Sequence, residues 1–198
     1  FMIATLVLYA AWSIDVAHRA ALERTRTRAD LMAHSFAAHA EATVRWIDAL
    51  ISELDRSWSP DLNTFILRSQ QIAAESTDVA VQISAVDETG FIAWSSISGR
   101  QRVDLRDREH VRVHLDDRVQ GLFVSAPVLG RVSGRWTIQF TRAVRRGGVL
   151  KGVIVFSVDP AYLSRFYGSL PLEPRDSITV LRQDGTVLAR VPGEGNEM

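Results

Sequence analysis

Asp104–Tyr167 reads DLRDREHVRVHLDDRVQGLFVSAPVLGRVSGRWTIQFTRAVRRGGVLKGVIVFSVDPAYLSRFY, and this stretch decides the fold. It holds three strand-like runs, each closed by a turn signal. Leu122–Leu129 (LFVSAPVL) ends at Gly130. Arg135–Val144 (RWTIQFTRAV) passes through two arginines into Gly147-Gly148. Gly152–Asp159 (GVIVFSVD) ends at Pro160. Runs rich in Val, Ile, Phe, Trp and Thr between Gly-containing turns predict an antiparallel meander. A polar, His-containing segment precedes the strands, with a short helix expected over Asp107–Leu115. An aromatic helix, Pro160–Leu170, follows. The layout is a sheet with a loop and helix folded over one face.

Upstream, Val79–Asp87 (VAVQISAVD) alternates apolar and polar residues. Glu88-Thr89-Gly90 turns it into Phe91–Ser96 (FIAWSS). These two strands and the later three predict a five-stranded antiparallel sheet. Asp15–Trp58 contains neither Gly nor Pro and is rich in Ala, Leu, Glu and Arg, which predicts one long helix. Its apolar stripe, from Leu22 and Met32 through Phe36, Val44, Ile47, Ile51 and Leu54 to Trp58, recurs at steps of three and four. Its second half is expected to support the sheet, and Leu22–Ala40 to form a dimer contact. Ser59 and Pro60 are expected to cap a second helix over Asp61–Ser76. The fold class is therefore α+β.

The first fourteen residues, Phe1–Ile14, carry no charge. They are too few to cross a bilayer, which takes about 20. Tyr9 and Trp12 at the polar boundary suit an interfacial aromatic belt, so the segment is expected to be the end of a transmembrane helix. At the other end, Ser177–Gln183, Asp184-Gly185 and Thr186–Val191 spell a second hairpin resembling the first. A lone hairpin is marginally stable, so it is expected to open a second, similar lobe. The expected divisions are thus 1–14, 15–58, 59–170 and 171–198.

Composition excludes some functions. The 198 residues are 46% hydrophobic and 23% charged with zero formal net charge, so a packed core is feasible and a basic nucleic-acid-binding stripe is absent. There is no cysteine, hence no disulfide and no thiolate metal site. Gly130-Arg-Val-Ser-Gly134 and Gly147-Gly148 lack a P-loop Lys-Ser/Thr and sit between strands. Ser125 and Ser157 stand in no G-x-S-x-G elbow. His110 and His114 share a helical face as zinc ligands do, but Val111 rather than Glu follows the first, and no third ligand is assigned. No catalytic set and no cofactor motif is visible. A ligand-binding module is favoured over a metal-binding domain or enzyme using His110 and His114, and over a purely structural or dimerisation module.

Strand counting places the expected ligand site. Steps of two from Trp136 give Ile138, Phe140 and Arg142. A turn at Gly147-Gly148 then sets Phe140 roughly opposite Ser157 and Ile138 opposite Asp159. The expected site is this face, Trp136, Phe140, Arg142, Ser157 and Asp159, under a cover carrying Asp107, Arg108 and His110. Trp94 is added from the first hairpin, on the expectation that it shares a face with Gln82 and Ser84.

The segments DREHVRVH, GLFVSAPVLGRVSGRWTIQFTR, GVIVFSVDPAYLSRFY and ITVLRQDGTVLAR, between Val79 and Arg190, resemble the double Cache (dCache) extracytoplasmic sensor domain, a PAS-like fold. The resemblance implies a homodimeric sensor on the bacterial inner membrane, with its sensing domain periplasmic. It implies a small ligand, an organic acid or other polar metabolite, in the membrane-distal lobe. It also implies a cytoplasmic output, with a diguanylate cyclase favoured and a histidine kinase next. Amino-acid-binding members carry a Tyr, Arg, Trp signature in the cover helix. Asp107-Arg108-Glu109-His110 stands there instead, which argues against an amino-acid ligand. Those members place an amine-binding Asp where Asp159 ends its strand.

Overall fold

The computed structural model describes residues 2–168 and 176–192. Residues up to Thr43 form one compact unit and those from Val44 onward another. A single helix, α1 (Met2–Arg56), supplies the whole of the first. That unit's apolar side chains are largely exposed, including Met2, Leu6, Tyr9, Trp12 and Leu31. Among the described residues no helix is long and apolar enough to cross a membrane.

The second unit is built on an antiparallel sheet. Its strands are β1 (Ala80–Asp87), β2 (Ile92–Ser95), β3 (Phe123–Val124), β4 (Val128–Leu129), β5 (Trp136–Arg146) and β6 (Val149–Val158). The order across the sheet is β2-β1-β6-β5-β3, with β4 also paired to β5. The expected five positions therefore hold six strands. Pro127 has no N–H to donate, and the edge strand breaks around it into β3 and β4. Gly147 and Gly148 both take positive φ, 58° and 81°, so the β5–β6 turn is the tight hairpin that the sequence announces.

Helices α2 (Asn63–Glu75), α3 (Glu109–Leu115) and α4 (Pro160–Gly168) complete this lobe. The start of α2 differs from expectation. Ser59 and Pro60 lie in a turn, and Ser59 Oγ donates to Asp61 Oδ1. That same oxygen accepts the Asn63 amide at 3.1 Å, so Asp61 satisfies the first free N–H of the helix. The expected link Pro171–Arg175 lies outside the described residues. β7 (Ser177–Leu181) and β8 (Val187–Pro192) pair as the expected second hairpin.

Two single-residue bulges decide which side chains share a face. Arg146 and Arg145 pair with Val149 and Leu150, but Val144 pairs with Gly152. Lys151 is the extra residue. From there inward Phe140 faces Phe156 and Gln139 faces Ser157. A shift of one residue moves every side chain to the opposite face. The expected register, Phe140 opposite Ser157, is thereby corrected. The first hairpin behaves alike: Val86 pairs with Ile92 but Ala85 with Trp94, leaving Ala93 extra.

The two faces then separate cleanly. One carries Ile83, Ala85, Ile138, Phe140, Val144, Ile154 and Phe156, all buried, and packs on the end of α1 and on α2. Ile47, Ile51 and Leu54 of α1 and Phe65 of α2 are fully buried there. Asp48 of α1 pairs with Arg142, and Asp55 with Arg146 at 2.8 Å, which fixes this as the helix face of β5. The other face is covered by the segment leading into α3. Its apolar part, Val86, Ile92, Leu105, Val111, Val153 and Val155, forms a second buried cluster.

Candidate functional site

The covered face is apolar at one end and polar at the other, and the polar end opens into a cleft. Its floor is a row that crosses the central strands. Gln82 of β1 lies beside Ser157 of β6, which lies beside Gln139 of β5. Ser84 and Val155 form the next row. All of these are buried. Gln82 Nε2 donates to Ser84 Oγ at 2.7 Å and to Ser95 Oγ at 2.9 Å. Ser157 Oγ donates to Gln139 Oε1 at 2.6 Å, and Gln139 Nε2 donates to Thr137 Oγ1 at 2.6 Å. Polar side chains so placed stay buried because they satisfy one another.

The walls come from the chain entering α3 with its first turn, and from β4 with the turn that follows it. Leu105, Arg108 and His110 line one side, and Val128–Val132, including Arg131, the other. The cleft has about 380 Å³ of empty space including its open mouth, and an inner volume of about 30 Å³. The inner part is large enough to hold water, and the cleft is open to solvent at its mouth.

Two arginines tie the walls together. Arg131 forms a bidentate pair with Asp107, at 2.7 and 2.6 Å, and donates to the Asp104 carbonyl. The pair holds the Asp107 carboxyl below its ordinary pKa. Arg108 Nη2 donates to the Leu129 carbonyl at 3.2 Å. His110 is only 4% exposed, and its buried Nδ1 has no hydrogen-bond partner. Burial first, then the positive charges of Arg108, His114 and Arg131, lower its pKa to about 4, so the ring is neutral at pH 7. His114 is also buried, and its Nε2 lies 2.9 Å from Thr141 Oγ1 on the floor. Among the described residues no group of three or more His, Cys, Asp or Glu side chains could hold a metal.

The structure gathers three of the expected site residues, Arg108, His110 and Ser157, around this cleft. Asp107 braces its wall through Arg131 rather than lining it. The remaining five lie elsewhere. Phe140 and Arg142 point to the helix face, Arg142 being held by Asp48. Trp94 also lies there, edge-on to the Phe65 ring at 6.0 Å. Trp136 is 63% exposed. Asp159 pairs with Arg135 at 2.8 Å, and its Oδ1 accepts the Ala161 amide at the start of α4. The bulge at Lys151 accounts for Phe140 and Arg142, and the bulge at Ala93 for Trp94. Sequence reading missed Gln82, Ser84, Gln139 and Arg131. One signal was present: Thr137, Gln139 and Thr141 alternate with Ile138 and Phe140 in a strand too central to expose a polar face.

A sheet backed by helices, with a polar cleft closed by a loop and short helix, is a PAS-like architecture. No protein-family model matches the sequence, and no curated protein matches it. Solved structures do. The extracellular domain assigned to a histidine kinase, rpHK1S-Z16, superposes with a TM-score of 0.71 at 27% identity, over 80% of this chain and 67% of that one. The sensory domain of the Campylobacter jejuni chemoreceptor Tlp3 with isoleucine bound gives 0.60 at 14% identity, over 77% and 65%. The ligand-binding domain of the Pseudomonas aeruginosa amino-acid chemoreceptor PctC in complex with GABA gives 0.58 at 18% identity, over 76% and 66%. The fold is thus that of Cache-type extracellular sensor domains. This chain spans about two thirds of the length of each of these three.

Proposed function

We propose that this chain is the sensing part of a membrane-bound bacterial signalling protein, and that the cleft under Arg108 and His110 is its ligand site. The observation that carries this reading is the cleft itself. A floor of four buried polar side chains, hydrogen-bonded as the pairs Gln82–Ser84 and Ser157–Gln139, lies beneath a cationic wall and a histidine with an unpartnered nitrogen. A merely structural core would have apolar residues there. The ligand is a small polar metabolite.

The division at 1–14, 15–58, 59–170 and 171–198 supplies the rest of the proposed device. The uncharged, exposed start of α1 enters the inner membrane, and the lobe lies in the periplasm. The stripe along Leu22–Ala40 pairs α1 with the same helix of a second copy. Displacement of α1 then carries ligand occupancy toward a cytoplasmic output. The likeness to the rpHK1S-Z16 domain supports a histidine kinase output, and the sequence resemblance a diguanylate cyclase.

Thermal unfolding of the purified protein against a panel of amino acids, organic acids and sugars tests the ligand reading. A ligand at a hundred times its Kd stabilises by about 2.7 kcal/mol, equal to roughly 5–11 °C for a chain of this size. The shift should vanish in Arg108→Ala and persist in Trp136→Ala. Absence of any hit across the panel would overturn the sensing role.

A further inference from the structure

We propose that the cleft takes a small carboxylate together with a proton, the proton being held on His110. This rests on the sensing reading above and names its ligand class and its regulation.

The charge around the cleft is one-sided. Arg108 and Arg131 line it, and none of its lining residues is Asp or Glu. The acidic side chains of the cover are each committed to another arginine: Asp104 to Arg106, Asp107 to Arg131 and Glu109 to Arg182. Among the described residues no carboxylate partners Arg108. Two arginines against Asp107 leave the wall with one uncompensated positive charge. Such a wall favours an anion and penalises a ligand ammonium, for which no acceptor of opposite charge lines the site. Asp159, the one residue expected to bind an amine, does not line the cleft and pairs with Arg135.

His110 completes the set. The residue lines the cleft and is 4% exposed, with ring Nδ1 buried and unpartnered. A buried nitrogen without a partner is unfavourable, and an anion bound in the cleft stabilises the charge of a protonated ring beside it. The titratable groups that face this ring are Arg108 and Asp107 beside it, His114 on α3 and Arg131 from the β4–β5 turn. The floor, Gln82, Ser84, Gln139 and Ser157, contributes none. In the empty site burial and the arginines hold the ring neutral at pH 7, with a pKa of about 4. A bound carboxylate opposes the arginines, so the pKa rises on binding. The sign follows: affinity is greatest at low pH and falls by about tenfold per pH unit until the ring's pKa in the complex is passed.

The experiment is titration calorimetry of the purified protein with propionate, pyruvate and succinate, each paired with a neutral or zwitterionic partner such as propionamide or alanine. It is run between about pH 5.5 and 7.5, where carboxylates are ionised, in buffers of different ionisation enthalpy that count protons taken up. The expected result is carboxylate binding with net proton uptake and a falling affinity as pH rises. His110→Gln should flatten that slope, and Arg108→Gln should weaken binding at every pH. Imidazole NMR signals of His110 in the unmutated protein, with and without propionate at pH 6, give the protonation directly if the variant does not fold. Carboxylate binding without proton uptake, or with the same slope in His110→Gln, overturns the proposal and leaves the sensing reading intact. So does tighter binding of propionamide or alanine than of propionate. Failure of every compound in the wider panel overturns both.

Discussion

Replacing Gly152 by Ala should destabilise the lobe and disturb the cleft together. An added Cβ would run into the Val86 carbonyl oxygen and would lie 2.6 and 2.7 Å from Cζ2 and Cη2 of Trp58. Neither neighbour can step aside. The carbonyl belongs to the backbone of β1, which is paired to β6 at this point. The indole is held edge-on by the fully buried Phe65, 5.2 Å between centroids. Overpacking of this kind costs about 1–3 kcal/mol, and two rigid obstacles put it at the upper end, about 3 kcal/mol. For a chain of this length that lowers Tm by about 6–12 °C. Gly152 is also the first residue inward of the bulge at Lys151, so relief by moving the bulge would break the Gln82–Ser157–Gln139 row and the ligand response with it. Thermal unfolding by circular dichroism, read beside ligand-induced stabilisation, is the assay. Trp58→Ala in the same chain should remove only part of the cost of Gly152→Ala, because the carbonyl remains. A Gly152→Ala protein within 0.5 kcal/mol of the parent would refute the close packing argued here, that being the range of inconsequential substitutions.

Further outcomes follow from the same contacts. Asp48→Ala should cost about 1–2 kcal/mol in urea unfolding, since it strands Arg142, whose Nε is already buried without a partner; the side chains are 27% and 36% exposed, which keeps the figure below that of a fully buried pair. An unchanged midpoint would count against that pair. Trp136→Ala should change stability by less than about 0.5 kcal/mol, and Asp159→Ala by about 1 kcal/mol through its cap and ion pair, with ligand affinity retained in both; loss of affinity in either would place the site elsewhere than the cleft. His110 has a folded-state pKa of about 4 against about 6.5 unfolded. The folded state thus favours the neutral ring, and its contribution is whole above pH 6.5 and fades as pH falls toward 4. The difference is worth about 3 kcal/mol. Urea unfolding of the parent and His110→Gln at pH 7, 5.5 and 4 should converge as the pH falls, and parallel curves would refute the assignment.

The elements of this fold are written locally. A chain segment without Gly or Pro from Asp15 to Arg56 makes a helix because nothing in it interrupts the hydrogen-bond ladder. Gly147, Gly148 and Gly185 make hairpins because glycine takes the positive φ of tight turns at little cost. Pro127 breaks the edge strand for an equally local reason. The sheet, its turns and the helix–sheet layout are therefore legible from the residues alone, as is the cover segment with Arg108 and His110.

What the tertiary structure decided is the face. A strand's side chains alternate, so one extra residue exchanges inside for outside, and bulges at Lys151 and Ala93 each do so. No residue type announces a bulge at Lys151. The exchange is enforced at a distance, by Trp58 lying against Gly152 and by Asp48 and Asp55 meeting Arg142 and Arg146. Those contacts join residues about 90 positions apart. They send Phe140 and Arg142 to the helices and leave Gln139 and Ser157 to meet Gln82 beneath His110. The chemistry of the cleft, a polar row under a cationic wall, is thus a product of packing between distant segments, whose outcome the local pattern does not encode.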